Sequence, residues 1–392
     1  TLLGIFKYLT LILGTTHDLF GLPSVVPQIL LPIGISFYTF QLLSYVVDVY
    51  RGEVEAQTHF FRLLLYTSLF HQCIAGPIVR YKDISEEILY RQINRGEVAR
   101  GINRFAAGLA KKAVLANTCG LLADQFILTD AAVADVSQFT QNAAALSAKP
   151  AVILWMGVLF FMLQIYLDFS AYSDMAIGLG QMLGFNFNKN FDYPYISTSV
   201  SEFWRRWHIS LGSWFRDYIY IPLGGNRVST GRHIRNILVV WALTGLWHGA
   251  SWNFVFWGVY YGLLLLAEKF LLGRFLEKAP VWLRNLYTMF AVIIGWVFFS
   301  QTTPAAIGKM LGAMFGLGAS CFADRASLYA LKSGLILMII SVISCRPGLY
   351  QYFKRLARRN TYLAAVINAI LFFLCIAYMI YSSYTPFMYQ QF

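Results

Sequence analysis

The chain has 392 residues, of which 58% are hydrophobic and only 13% are charged, and its formal net charge is +12. This composition excludes an ordinary soluble domain and is typical of a protein that crosses a membrane several times. The basic residues lie in loops between apolar runs, as the positive-inside rule requires, so we attribute the charge to membrane topology and expect no nucleic-acid partner. The five cysteines lack the spacing of a disulfide framework or a metal site.

The first part of the chain contains three interrupted apolar segments, residues 2–14, 22–50 and 60–79. Lys7 interrupts the first segment, prolines interrupt the second, and a Gly-Pro pair breaks the third. A helix that stops at such a pair inside an apolar run can re-enter the membrane surface instead of crossing the membrane. The sequence therefore leaves the topology of this part open.

Charge and length assign the remaining segments. The basic segments are predicted to be cytoplasmic, and they comprise residues 80–112, 186–235, 273–284 and 346–359. The apolar segments predicted to enter or cross the membrane are residues 113–128, 151–183, 236–272, 285–300, 329–345 and 362–384. The predicted extracytoplasmic segments are residues 129–148, 301–328 and 386–392. We expect residues 1–392 to form a single membrane domain, and we expect the natural N-terminus to lie upstream of Thr1.

One stretch, residues 236–262, is apolar on both sides of a single imidazole, that of His248. A helix that starts at the membrane surface near Asn236 rises only ~18 Å before His248, short of the ~30 Å hydrocarbon core. His248 is therefore predicted to lie inside the bilayer, where an ionisable side chain is costly unless it is paired or faces water. Gly245 and Gly249 weaken the helix, and we expect the segment to break there and return. A histidine that merely joins two helices is the alternative.

A second informative stretch surrounds the sequence WRRWH. Trp204, Trp207 and His208 recur at i, i+3 and i+4, so they are predicted to share one face of an amphipathic helix. Arg205 and Arg206 point elsewhere and suit a phosphate or carboxylate group. An interfacial anchor with a basic edge is the alternative interpretation.

A buried histidine can act without a metal ion. The sequence contains no Cys/His cluster, no His-x-x-x-His pair and no Gly-x-Ser-x-Gly motif, so we expect neither a metal site nor a serine triad. A neutral imidazole can accept the proton of a hydroxyl as that hydroxyl attacks an activated acyl group. A thioester is reactive enough for this reaction if the protein aligns donor and acceptor and excludes water.

Several blocks along nearly the whole chain resemble the membrane-bound O-acyltransferase family, and within it the alginate O-acetyltransferase subunit I type. These blocks are LPIGISFYTFQLLSYVVDVYRGE (31–53), IAGPIVRY (74–81), QIYLDFSAYSDMAIGLGQMLGF (164–185), NFDYPYISTSVSEFWRRWHISLGSWFRDYIYIPLGGNR (190–227) and LTGLWHGASWNFVFWGVYYGLLL (243–265). The resemblance implies an all-α, polytopic membrane fold that is curved, with re-entrant helices and a central tunnel. It also implies that His248 is the catalytic histidine and His208 the second active-site histidine. Residues in matching blocks are given supporting roles in substrate binding, and these are Trp247, Arg205, Arg206, Trp207 and Asp168.

The resemblance further implies transfer of acetyl from a cytoplasmic donor, acetyl-CoA, for O-acetylation of a secreted or cell-wall polysaccharide. In such systems an extracytoplasmic partner of the serine-esterase type often delivers the acetyl group. The expected location is the plasma (inner) membrane of a bacterium, and no bound cofactor is expected. Two alternatives remain open. One is D-alanyl transfer from a carrier protein to teichoic acid, and the other is a proton-coupled transporter that uses His248 and Asp168 as a relay.

Overall fold

The computed structural model describes residues 3–20, 32, 34–72, 76–127, 145–146 and 148–381, and the regular secondary structure of these residues is helical. The α-helices are α1 (Leu9–Phe20), α2 (Ile35–Tyr50), α3 (Phe60–Ser68), α4 (Tyr81–Tyr90), α5 (Arg95–Ala110), α6 (Asn117–Ile127), α7 (Ala151–Met182), α8 (Val200–Arg206), α9 (Ile209–Phe215), α10 (Thr230–His248), α11 (Trp252–Ala267), α12 (Gly273–Lys278), α13 (Val281–Ser300), α14 (Pro304–Met314), α15 (Arg325–Ser344), α16 (Pro347–Arg359) and α17 (Thr361–Tyr381). Short π-helical turns adjoin several of them, at Gly4–Tyr8, Lys111–Ala116, Arg216–Tyr220 and Glu268–Leu272. The predicted all-α class is confirmed. Most of the predicted loop 129–148 and the tail 386–392 lie outside the described residues.

Five helices of the described chain are long and apolar enough to cross a membrane. They are Ala151–Met182, Trp252–Lys278, Val281–Ser300, Arg325–Ser344 and Tyr362–Ile380. All five overlap apolar segments that the sequence predicts to enter or cross the membrane, and Trp252–Lys278 continues past the predicted end at residue 272. The chain is therefore a multi-pass membrane protein. Helix α3 has only nine residues, a rise of about 14 Å, which is too short to cross. A 3-10 turn follows it at Phe70–Gln72, so the helix of this segment ends before the Gly76-Pro77 pair at which the sequence predicts the break.

Helix α7 lies at the centre of the fold. Its 32 residues rise about 48 Å, and apolar residues on all of its faces are buried, among them Phe160, Ile165 and Leu167. Helices α5 and α6 pack along it, together with the π-turn that joins them. A helix that is hydrophobic all round is expected to be surrounded by other helices, and this surrounded helix supports one wall of the site described below.

Helices α10 and α11 form a tightly packed hairpin. A Cβ atom at Gly245 would collide with the carbonyl oxygen of Phe254, and one at Gly258 would collide with the carbonyl oxygen of Trp241. Only glycine lets the two backbones approach this closely. The predicted break near His248 and the helix that returns after it are confirmed.

Candidate active site

His248 is the last residue of α10. The chain continues through Gly249 in an extended conformation and starts α11 three residues later. The imidazole is buried, at 4% exposure, and three aromatic rings meet it nearly edge to face. The ring centroids lie 4.8 Å away for Trp247, 4.9 Å for Trp257 and 5.3 Å for Phe299. These rings exclude bulk water from the imidazole and fix its orientation.

His208 lies at a different kind of helix break. Helix α8 ends at Arg206, Trp207 is extended, and His208 adopts the left-handed conformation with φ 44° and ψ 57° before α9 starts. The prediction that Trp204, Trp207 and His208 share one face of a continuous helix is therefore wrong. The cause is a long-range contact, because the backbone N–H of Ile209 donates to the carbonyl of Asn190 at 2.8 Å.

The side chain of Asn190 determines which nitrogen of His208 carries the proton. Its Oδ1 accepts from the backbone N–H of Ser210 at 3.2 Å and from the Ser210 hydroxyl at 2.9 Å, which identifies this atom as the amide oxygen. The same oxygen lies 3.1 Å from Nδ1 of His208. Because an oxygen acceptor requires a donor, Nδ1 carries hydrogen, and Nε2 of a neutral ring is the acceptor. Nε2 is buried and makes no hydrogen bond to the described residues.

Trp247 brings the two histidines together. Its indole centroid lies 5.9 Å from the ring of His208 and 4.8 Å from that of His248. Phe169 on α7 closes the far side of His208 at 4.8 Å. His208 and His248, which are 40 residues apart in the sequence, thus share one buried site lined by aromatic rings.

The residues with predicted supporting roles in substrate binding differ in their burial and in their contacts. Trp207 is buried and packs on rings that include Phe191 at 5.2 Å and Trp296 at 5.0 Å, so it forms the wall behind His208. Arg206 is bound to Glu202 at 2.8 Å and does not project freely. Arg205 is exposed and forms no ion pair with the described residues.

Asp168 lies on α7 next to Phe169, and its carboxylate forms an ion pair with Lys112 at 2.7 Å. This pair lines a small polar cavity of about 30 Å³ together with Gln164 and Asp124. The π-turn that contains Lys112 directs the lysine toward α7. Asp168 therefore joins two packed helices, while the neighbouring Phe169 contacts the imidazole of His208.

Two residues near the end of α10 carry roles that the sequence analysis did not assign. The ammonium of Lys7 is buried, donates to the carbonyl of Trp247 and lies 5.8 Å from the indole centroid of Trp247. Tyr8 donates to the carbonyl of Leu246 at 2.8 Å. Together they cap the last turn of α10, where a cation also complements the helix dipole. The sequence does carry a signal for this role, because a lysine inside an apolar segment costs free energy unless its charge has a partner.

Glu268 caps the start of α8, as Lys7 and Tyr8 cap the end of α10. Its buried carboxylate accepts from the backbone N–H of Ser201 at 2.9 Å and from the hydroxyl of Ser201 at 2.8 Å. A carboxylate at the first turn of a helix satisfies N–H groups that have no partner within the helix. Glu268 thereby ties the start of α8, which leads to His208, to the end of α11. No group of three or more His, Cys, Asp or Glu side chains in the described ranges is placed to hold a metal ion.

The fold and the site define a class: a multi-pass, all-helical membrane protein with two imidazoles buried at helix breaks. Residues 53–307 match the sequence model of the membrane-bound O-acyltransferase family. The chain belongs to this family, which confirms the resemblance found in the sequence and the predicted enzyme class, an O-acyltransferase.

Individual relatives differ in the reaction that their names state. The chain is 40% identical to the "Probable alginate O-acetylase AlgI" of Azotobacter vinelandii, over 90% of this chain and 68% of the relative. It is 32% identical to the peptidoglycan O-acetyltransferase of Helicobacter pylori, over 81% of this chain and 63% of the relative. It is 28% identical to the teichoic acid D-alanyltransferase of Streptococcus thermophilus, over 59% of this chain and 55% of the relative. The matched regions thus span about two thirds or less of these proteins.

Proposed function

We propose that this chain transfers an acetyl group from acetyl-CoA on the cytoplasmic side to a hydroxyl destined for a secreted or cell-wall polysaccharide. The observation that carries the proposal is the pair His208 and His248, buried on the ring of Trp247 at the junction of two broken helices. Two relatives named as O-acetylating enzymes support acetyl as the acyl group. The site lies in the plasma membrane of a bacterium under this proposal.

His248 is the general base in the proposed reaction. Its imidazole accepts the proton of the acceptor hydroxyl as that oxygen attacks the thioester carbonyl carbon. The tetrahedral intermediate then breaks its C–S bond, and the imidazolium returns the proton to the departing CoA thiolate. The new ester and free CoA leave, and the histidine is neutral again. Aromatic rings around His248 keep water from competing as the attacking group.

His208 orients the acceptor in this scheme. Because Asn190 holds Nδ1–H, Nε2 presents a lone pair in a buried position and can accept a hydrogen bond from the incoming substrate. A second O–H or N–H group of the bound substrates, distinct from the hydroxyl that His248 deprotonates, would satisfy this nitrogen, which makes no hydrogen bond to the described residues. This role requires the Nδ1–H tautomer, so Asn190 is a positioning residue for His208.

The remaining predicted residues contribute to binding or to the shape of the site. Trp247 separates and orients the two imidazoles, and Trp207 supports His208 from behind. Arg205, which is exposed, offers a guanidinium to a phosphate of the donor. Arg206 and Asp168 act through their ion pairs with the surrounding helices.

We further propose that an extracytoplasmic partner of the serine-esterase type receives the acetyl group and passes it to the polysaccharide. In that case the attacking hydroxyl at His248 belongs to the partner or to a carrier between the two proteins. The central tunnel expected of the family provides the passage through which the two substrates meet. The single-domain organisation of residues 1–392 is part of this proposal.

The direct experiment supplies the purified chain, in lipid nanodiscs, with labelled acetyl-CoA or with a D-alanyl carrier-protein thioester. Each donor is combined with polysaccharide, peptidoglycan fragments or teichoic acid, with and without a serine-esterase partner. We expect label from acetyl-CoA to reach a hydroxyl acceptor. Transfer of D-alanyl alone would replace the proposal with the reaction named for the Streptococcus relative. In sealed lipid vesicles that contain the chain, proton-coupled flux with both thioesters left intact would identify a transporter.

A further inference from the structure

Helix α16 has an unusual position between two membrane spans. Two residues separate it from the end of α15 and one residue separates it from the start of α17, and both neighbours are candidate spans. Its 13 residues rise about 20 Å. Because both ends are joined almost directly to membrane-spanning helices, α16 must lie along one surface of the membrane.

The residues of α16 divide into two faces. Leu349, Phe353 and Leu356 recur at i, i+4 and i+7 and therefore form an apolar stripe. Leu349 and Phe353 are 39% and 42% exposed, so the protein leaves this stripe largely uncovered. An amphipathic helix held at the bilayer surface buries such a stripe at the boundary between headgroups and acyl chains.

The opposite face is strongly basic. Lys354, Arg355, Arg358 and Arg359 are exposed, and the helix contains no acidic residue. These four side chains form no ion pair with any residue that the structure describes. The pairs Lys354–Arg358 and Arg355–Arg359 are spaced i, i+4, which places like charges side by side and destabilises an isolated helix. An anionic surface would neutralise all four charges at once.

We propose that α16 is an in-plane anchor that binds the headgroups of anionic phospholipids on the cytoplasmic leaflet. The apolar stripe fixes the depth of the helix, and the basic face concentrates phosphate groups beside the spans α15 and α17. The positive-inside rule places this basic segment on the cytoplasmic side. At the depth where the two spans hold α16, the leaflet offers acyl chains to the apolar stripe and phosphate groups to the basic face. A soluble acidic partner would match only the basic face.

The test uses the full chain reconstituted in vesicles of phosphatidylcholine with spin-labelled phosphatidylglycerol or spin-labelled phosphatidylcholine as the probe. Electron paramagnetic resonance then gives the fraction of each probe that is motionally restricted by the protein. We expect a preference for phosphatidylglycerol that weakens as salt is added. The variant K354Q/R355Q/R358Q/R359Q should reduce that preference by at least about twofold.

Two control variants distinguish a site from a general effect of charge. The variant R227Q/R232Q/R274Q/K278Q removes four exposed basic residues elsewhere and should keep the preference. The variant R355K/R358K/R359K keeps the charge of α16 and should also keep it, which shows that the helix remains folded when its arginines change. Equal loss in the first control, or no preference in the unchanged chain, would overturn the proposal. In the latter case an acidic protein partner becomes the better occupant.

Discussion

The two histidines of the site stand at helix breaks that are built in different ways. At His208 the backbone enters the left-handed region, and hydrogen bonds from Ile209 and Ser210 to Asn190 hold it there. At His248 the helix ends at an extended glycine that fits against the ring of Phe254. The first break depends on particular hydrogen bonds and the second on the fit of a small residue against aromatic rings. Different substitutions should therefore disable them.

The largest effect is expected at the second break, from His248→Ala. Loss of a general base lowers the rate of acetyl transfer roughly 10²- to 10⁴-fold. The initial rate with labelled acetyl-CoA is the measurement, and the yield and elution volume in detergent report folding. His59→Ala, which removes an exposed histidine, is the matched control and should leave the rate unchanged. Near-normal turnover by the His248 variant would remove it from the role of base.

At the first break, His208→Ala is expected to have a smaller effect. The substitution removes one hydrogen-bond acceptor for the substrate, which corresponds to a loss of roughly 10- to 100-fold in kcat/KM. Water can replace part of what an orienting group supplies. His208→Asn tolerates the left-handed backbone and tests whether a fold defect contributes. Unchanged activity in both variants would show that His208 lies outside the working site.

Substitutions of Asn190 distinguish a chemical role, which is to position the proton of His208, from a structural role in supporting the backbone at the first break. Asn190→Leu removes the acceptor of Nδ1–H and should lower the rate roughly tenfold. Asn190→Asp keeps an acceptor for Ser210 but adds a negative charge that favours the protonated imidazole of His208. The acid limb of the pH–rate profile should then move to higher pH. A residue that only supports the backbone would lower the rate in both variants and leave the limb in place.

The smallest effect concerns the stability of the second break. A Cβ atom at Gly249 would collide with the ring of Phe254, so Gly249→Ala should destabilise the protein by about 1–3 kcal/mol through overpacking. Thermal unfolding in detergent measures this change. Gly231→Ala places its methyl group where no atom lies within 4 Å and is the control. Equal melting temperatures for the two variants would contradict the proposed fit.

The sequence was most informative where local pattern alone determines the outcome. Apolar length identified segments that overlap the five candidate spans, because the bilayer allows few alternatives to a helix. The glycines around His248 predicted the second break and the returning helix. The i, i+3, i+4 spacing around His208 predicted a continuous helix instead, since periodicity does not register the backbone hydrogen bond from Ile209 to Asn190, 19 residues earlier.

For the same reason, local sequence patterns could not predict which distant residues meet to form the site. Lys7 reaches the carbonyl of a residue 240 positions later, and Glu268 caps a helix that starts 68 positions earlier. Such pairs form only when the whole chain has folded. The sequence could still mark Lys7 and Glu268 as charged groups within or beside apolar runs, where burial without a partner is costly.

The central claim is that His208 and His248 act in one reaction at one site, and the double variant His208→Ala/His248→Ala tests it most directly. Initial rates of acetyl transfer are measured for the unchanged chain, both single variants and the double variant. Residues that act as a unit give losses that do not multiply, so we predict that the double variant is about as slow as His248→Ala alone. A rate reduced by the product of the two single losses would contradict the account.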